Sequence, residues 1–336
     1  MRIPRNDYPF SSGGKATFSF ILKVLGVLAA ICLVGVGGVG WYWDTEPRQF
    51  EVTKQGVGYN QNTASHAIGT SFTGTVIKIM HVLLNKRGGY LSNDEFPPGA
   101  WMDNIPNWEF GALTEVRDAA DSVRDDFSRS ESESAEDSDV ASARAFFYED
   151  HRSWIIPPAE ERYSQGIEAL QRYQNRLAMS KQVIFFGRAD DLSDYLARVE
   201  KRLGGLSQKL GETVHFRYPP GIFPGSVQTS QGVTVENPWF HADDFFYEAR
   251  GSTWALLHLM KAVQIDFDGI LRSKHALELV GQIIQELEST QHSISSPILM
   301  RGDGWGWFPS YCLALARYID RTVAKLQELR ELLKRG

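Results

Sequence analysis

Apolar positions along this chain fall into three regimes: one unbroken block, several stretches at helical spacing, and long segments where no period holds. The block runs from Val24 to Trp43, 20 residues without a charge. As a helix it rises about 30 Å, the thickness of a bilayer's hydrocarbon core. Residues 24–43 are therefore predicted to be a transmembrane helix behind a short tail, residues 1–23. The periodic stretches begin at His66. From there to Lys86, Ile68, Phe72, Val76, Ile79, Val82 and Leu83 share one face, and Gly88-Gly89 closes the helix. Thr70, Ser71, Thr73, Thr75, Lys78 and His81 make that stretch too polar for a second span. Another helix is predicted from near Asn107 through Arg124. Behind Pro157-Pro158, which suits a helix start, Tyr163, Ile167, Leu170, Tyr173 and Leu177 recur at helical spacing. Phe185, Ala189, Leu192, Leu196, Val199 and Leu203 follow at strict 4, 3, 4, 3, 4 spacing, and Gly204-Gly205 is read as the end of that run. Two adjacent helices with such narrow seams predict an antiparallel bundle with coiled-coil-like packing.

From Gly211 to Trp239 the pattern fails. Prolines stand at 219, 220, 224 and 238, and only 214–218 and 233–235 look β-like. A loop this long inside a compact domain is usually functional or disordered, which makes residues 211–239 a candidate recognition surface. Helical spacing returns over His241–Ile265 and Phe267–Leu287. It returns again beyond Gly306, where Tyr311, Leu315, Ile319, Thr322, Leu326, Leu329 and Leu333 hold a near-heptad. The expected fold is mainly α: a transmembrane helix, a linker over residues 44–65, and a helical ectodomain over residues 66–336 interrupted by the irregular loop 211–239.

Charge sets the topology. Arg2, Arg5, Lys15 and Lys23 precede the span against one acid, Asp7, so the positive-inside bias places the tail in the cytoplasm and the bulk outside. A cleaved signal would have a shorter apolar core and a small-residue cleavage site. This block is longer and ends in Trp41-Tyr42-Trp43, an aromatic belt. Gly35-Val-Gly37-Gly38-Val-Gly40 matches G-x-G-x-x-G in letters alone, because a dinucleotide site needs that turn between a strand and a helix. Of the two cysteines, Cys32 lies in the span and cannot pair with Cys312, so the ectodomain depends on its core rather than on disulfides. Removing the tail's four bases and one acid leaves 31 basic and 40 acidic residues, a charge of −9. That excludes a nucleic-acid binder, which needs clustered Lys and Arg.

Candidate chemistry is sparse. No metalloprotease, nucleophile-elbow, P-loop or paired C-x-x-C signature occurs. The fullest constellation is His241-Ala-Asp243-Asp244-Phe-Phe-Tyr-Glu248-Ala-Arg250. Asp244 and Glu248 are i,i+4 neighbours with His241 a turn earlier, a spacing that suits divalent-metal ligands or a carboxylate acid–base pair. The same residues suit an acidic helix start with ordinary ion pairs to Arg250. No cofactor is expected beyond that metal option. Arg301, Asp303, Trp305 and Trp307 lie in a glycine-interleaved aromatic segment, a second candidate binding surface or a plug between helices. From Asp118 to Asp139 there are nine acids against two arginines. That run lacks the spacing of a calcium loop and reads as a solvated loop or helix end.

The segments GGYLSNDEFPPG, NIPNWEFGALTEVRD, DDFSRSESESAEDSD, ADDFFYEARGSTWALLHLMKA and SPILMRGDGWGWFPSYCLALARYIDR resemble the bacterial family catalogued as domain of unknown function 2333. The resemblance implies a Gram-negative envelope protein with one N-terminal span and carries no activity to transfer. The expectation is an inner-membrane-anchored periplasmic protein that contacts the membrane through residues 24–43 and another envelope protein through its ectodomain. It would be an interaction or scaffold component. The alternative is a metal-assisted or carboxylate-based envelope hydrolase using His241–Arg250.

Overall fold

The computed structural model describes residues 13–53, 67–128, 136–179, 183, 185–213, 242–292 and 311–335. Among them there is no strand. The first helix, α1 (Gly13–Trp43), contains a window from Phe20 to Trp43 with mean hydropathy 2.5, long and apolar enough to cross a membrane and not buried by the rest of the protein. Gly35 to Gly40 all lie inside this helix, so the dinucleotide-like spelling has no strand or turn to work with.

The remaining helices form one core. They are α2 (Thr70–Asn85), α3 (Asn104–Ser122), α4 (Ser138–Phe147), α5 (Ala159–Met179), α6 (Ala189–Thr213), α7 (Ala242–Asp266), α8 (Asp268–Ser273), α9 (Leu277–Thr290) and α10 (Tyr311–Lys334). The predicted seams are buried: Tyr163, Tyr173, Leu192, Leu196, Val199, Leu203, Ile319, Leu326 and Leu329 all lie in the core. Val82, Ala189 and Tyr311 are half-buried at the edges of these seams, and Ile68, standing before α2, is exposed.

The Phe185–Leu203 and Tyr311–Leu333 seams are packed faces within one bundle, and they meet directly: α6 lies along α10, while α5 packs on α4 and α2. The α6–α10 pair is antiparallel: Gln327 donates to Glu200 at 2.7 Å, and Ser207 bonds Asp320. This pairing also explains why Gly204-Gly205 does not end α6. Leu203, Leu206 and Leu210 continue the buried seam, and that burial outweighs the roughly 1 kcal/mol by which each interior glycine disfavours a helix. The first three residues of the predicted irregular loop are therefore helical; 214–239 lie outside the described residues.

Two other boundaries also shift. The stretch predicted as a single helix from Phe267 to Leu287 divides into α8 and α9, because His275 adopts φ 54 and Ala276 N–H returns to the Leu271 carbonyl at 2.7 Å. That is a left-handed helix stop made without glycine. Helix α4 emerges from the acidic run, capped by Asp137, whose carboxylate accepts from Asp139 N–H and Val140 N–H. Asp137 and Asp139 also take Arg176 of α5 at 2.8 and 2.7 Å, so the end of the run is ion-paired rather than solvated. Residues 129–135 lie outside the described residues.

The closest helix crossing is α3 on α7. A Cβ placed on Gly111 would lie 1.9 Å from the Glu248 carbonyl oxygen, and one on Gly251 would lie 1.8 Å from that of Trp108. Backbone meets backbone there, at a distance no side chain permits. Beyond α3, a π turn (Val123–Phe127) swings Phe127 against Phe72, Phe185 and Phe267, with Phe186 N–H donating to the Phe127 carbonyl at 2.6 Å.

Candidate functional site

Helix α7 carries the candidate residues, and the fold distributes them. Asp243 and Asp244 occupy its first turn; His241 lies outside the described residues. Asp244 accepts from the Asn107 amide of α3 at 2.7 Å. Both oxygens of Glu248 take Lys209 of α6 at 3.1 Å. Arg250 turns away from both. It forks onto Glu46 with Nε and Nη2 at 2.6 and 2.5 Å, and its Nη1 donates to the carbonyls of Thr290 and His292 at 3.0 Å each. The ion pair between this acidic turn and Arg250 is thus corrected: the partner of Arg250 stands 204 residues away, just past α1. Burial, and then the nearby Asp103 and Asp244, raise the Asp243 carboxyl above its ordinary value. Among the described residues no group of three or more His, Cys, Asp or Glu side chains is placed to hold a metal ion. Arg301, Asp303, Trp305 and Trp307 lie outside the described residues.

The face of α7 that carries Arg250, Trp254 and His258 holds the segment that follows α1. Phe50 stacks on His258 at 3.9 Å and meets Trp254 edge-on at 5.7 Å, and Trp254 in turn packs on Trp108. Phe50 N–H donates to His258 Nε2 at 3.0 Å, while His258 Nδ1 donates to the Trp254 carbonyl at 2.7 Å. The imidazole is fully buried, and burial holds its pKa down at about 4. It therefore stays neutral, with a lone pair free for the Phe50 amide. The predicted linker is thus, through Thr53, a strap docked on α7. At the end of α1, Arg87 lies over the Tyr42 ring at 4.7 Å. Gly88, at φ 83, is met so closely by the Trp43 indole that a Cβ would stand 2.8 Å from it. Glycine is required there for both reasons. None of Glu46, Phe50 and His258 belongs to a local motif; the one available signal was a histidine inside the otherwise apolar run Trp254–Met260.

Two polar features lie elsewhere. Glu109 is fully buried, ion-paired with Lys86, and accepts from Leu91 N–H and Ser92 N–H at 2.9 and 2.8 Å, so it organises the loop after α2. Burial raises its carboxyl and Lys86 opposes that shift. Glu115 is also fully buried. It accepts from Ser252 Oγ at 2.5 Å beside the Asp118–Arg202 pair, and burial together with Asp118 pushes it up to about 8. Because the folded value lies above the ordinary 4.5, the folded chain keeps a proton that the unfolded chain has released. Stability is fully present below about pH 4.5 and declines as pH rises to 8, by about 1.4 kcal/mol per unit at most. Glu115→Gln keeps the Ser252 acceptor and removes the titration. Melting curves of the detergent-solubilised chain are expected to fall less between pH 5 and pH 8.5 in the variant than in the parent. Parallel curves would show that Glu115 does not hold the proton. Between α2 and α5 an open groove of about 550 Å³ is lined by His81, Asn85, Glu160, Ser164 and Glu168 among others. Burial and Lys78 lower the His81 pKa.

Compared with known proteins, the chain matches over residues 16–336 the model of a family described as uncharacterized protein conserved in bacteria, DUF2333. No curated protein and no solved structure matches it.

Proposed function

Since the chain belongs to this bacterial family over nearly its whole length, and the family brings no activity with it, we propose from its geometry that the protein is a membrane-anchored platform of the cell envelope. It acts as an interaction or scaffold component. Its anchor is α1, retained rather than cleaved, with the tail in the cytoplasm, the span in the inner membrane and the helical domain in the periplasm. The charge bias around the span and its aromatic end support that orientation. The observation that carries the platform reading is the strap. Glu46 on Arg250 and Phe50 on His258 join the anchor to the helix at the centre of the domain. An enzyme that works on diffusing substrate gains little from such a joint, whereas a scaffold needs its surfaces held at one height and angle. The hydrolase reading finds no support on α7, where Asp244, Glu248 and Arg250 are drawn to three different elements. A phosphatase reporter fused after Glu51 is expected to be active only in the exported compartment. Crosslinking in intact cells is expected to trap the anchored chain with one discrete envelope protein. Reporter activity in the cytoplasm would overturn the orientation, and a chain that crosslinks to nothing would overturn the scaffold.

A further inference from the structure

Among the described residues, the end of the domain that touches α1 also carries its most exposed aromatic side chains. Phe96 is 73% exposed, Trp101 67%, Trp154 48%, Ile155 56% and Ile156 89%. They come from two loops, one after α2 and one before α5, that are stitched into a single surface. The Asn93 amide donates to the Ser153 carbonyl at 2.9 Å, and the Phe96 and Trp154 rings meet edge-on at 6.4 Å. An exposed apolar cluster of this kind marks a contact with a partner or with lipid. Its position decides between them. Pro98, in the same loop as Phe96 and Trp101, lies against α1 at Gly40, where a Cβ would stand 3.3 Å from the proline Cβ. Gly40 is three residues inside Trp43, about 4.5 Å deeper along the helix axis. Trp41, 82% exposed, and Tyr42 lie at the same level. If Trp41–Trp43 form the belt at the headgroups, the loop reaching to Gly40 is already at or below that belt.

We infer that Phe96, Trp101, Trp154, Ile155 and Ile156 dip into the outer leaflet of the membrane that α1 spans, so that the domain rests on the bilayer as well as hanging from it. The occupant of this apolar surface is lipid, because the surface is continuous with the lipid-facing end of the anchor. Tryptophan and phenylalanine on a rigid loop are the side chains that interfacial insertion favours. Charge beside the joint is of both signs, Asp44, Glu46 and Asp103 against Arg48 and Arg87, with no basic cluster of the kind anionic headgroups recruit, so the contact is apolar.

The inference rests on α1 being a retained span, and the test separates the two. The full chain, with Cys32 and Cys312 changed to alanine, carries a spin label at Phe96→Cys, Ile156→Cys, Leu33→Cys or Glu331→Cys. Each variant is reconstituted in phosphatidylcholine vesicles, and depth is read from collisions with oxygen against a water-soluble nickel chelate. Labels at 96 and 156 are expected to favour oxygen several-fold over the aqueous label at 331, with the label at 33 deeper still, and added phosphatidylglycerol is expected to change nothing. Position 33 in hydrocarbon with 96 and 156 in water would leave the anchor standing and overturn this inference in favour of a protein partner. Position 33 in water would remove both. Burial of 96 and 156 only when anionic lipid is present would also overturn the inference, because electrostatics would then draw the loops in.

Discussion

Alanine at Gly251 is expected to destabilise the domain by about 3 kcal/mol or more, while alanine at Gly204 is expected to stabilise it. Both glycines are interior to long helices, where glycine disfavours the helix by about 1 kcal/mol relative to alanine. At Gly204 nothing lies within 4 Å of the added methyl, so the helix preference is the whole effect. At Gly251 the methyl would sit 1.8 Å from the Trp108 carbonyl oxygen. That neighbour is backbone and cannot rotate away; α3 and α7 must separate by more than an ångström. The separation would loosen the Trp108–Trp254 contact and the Ser252–Glu115 bond alongside it. The cost is therefore at or beyond the upper end of the about 1–3 kcal/mol typical of an overfilled core. For a domain of this size it corresponds to a Tm drop of roughly 6–12 °C. Equal melting temperatures for the two variants would refute the backbone crossing.

Arg250→Met is expected to cost about 2–4 kcal/mol, below the about 3–5 kcal/mol of a wholly buried pair because Glu46 keeps partial access to water. Its specific effect is on the strap. With Arg250 gone, Glu46 and two helix-end carbonyls lose their donor together, and residues 44–53 should come free of α7. Arg48 is exposed within that segment. Brief trypsin treatment of membranes should therefore release the variant's domain several-fold faster than the parent's. Arg250→Lys should behave almost like the methionine variant, since a point charge cannot serve Glu46 with two nitrogens and the carbonyls with a third. Release at the parent's rate would show that the strap is held elsewhere.

Much of the helical layout was legible because burial imposes a period. Tyr163 through Leu177, Phe185 through Leu203 and Tyr311 through Leu333 each repeat at the spacing of one helix face, and each face is buried. A period says that a face needs a partner without saying which: it put the Phe185 and Tyr311 seams in one bundle, but that α6 lies directly on α10 was not readable. Helix α4 carries its own short pattern, Val140, Ala143 and Phe147, hidden behind an acidic run that resembles solvated chain. The break at His275 gave no warning because a histidine, not a glycine, takes the left-handed turn. At the candidate site, proximity in sequence misled. Asp244, Glu248 and Arg250 are neighbours on one helix, yet each answers to a residue brought in from afar, and Glu46 on Arg250 depends on the tertiary fold alone.

The strap also limits how far this protein can search. If residues 44–53 were free, those ten residues alone would allow an excursion of up to about 35 Å in any direction. Docked on α7, the same residues allow almost none, and the longest domain helix, about 37 Å end to end, sets the scale of the body itself. With α1 as the proposed membrane anchor, anything that meets the domain must come to the membrane surface to do so. The encounter would then be confined to a thin layer beside the bilayer, where two anchored partners meet at a higher effective concentration than they would through the depth of a compartment.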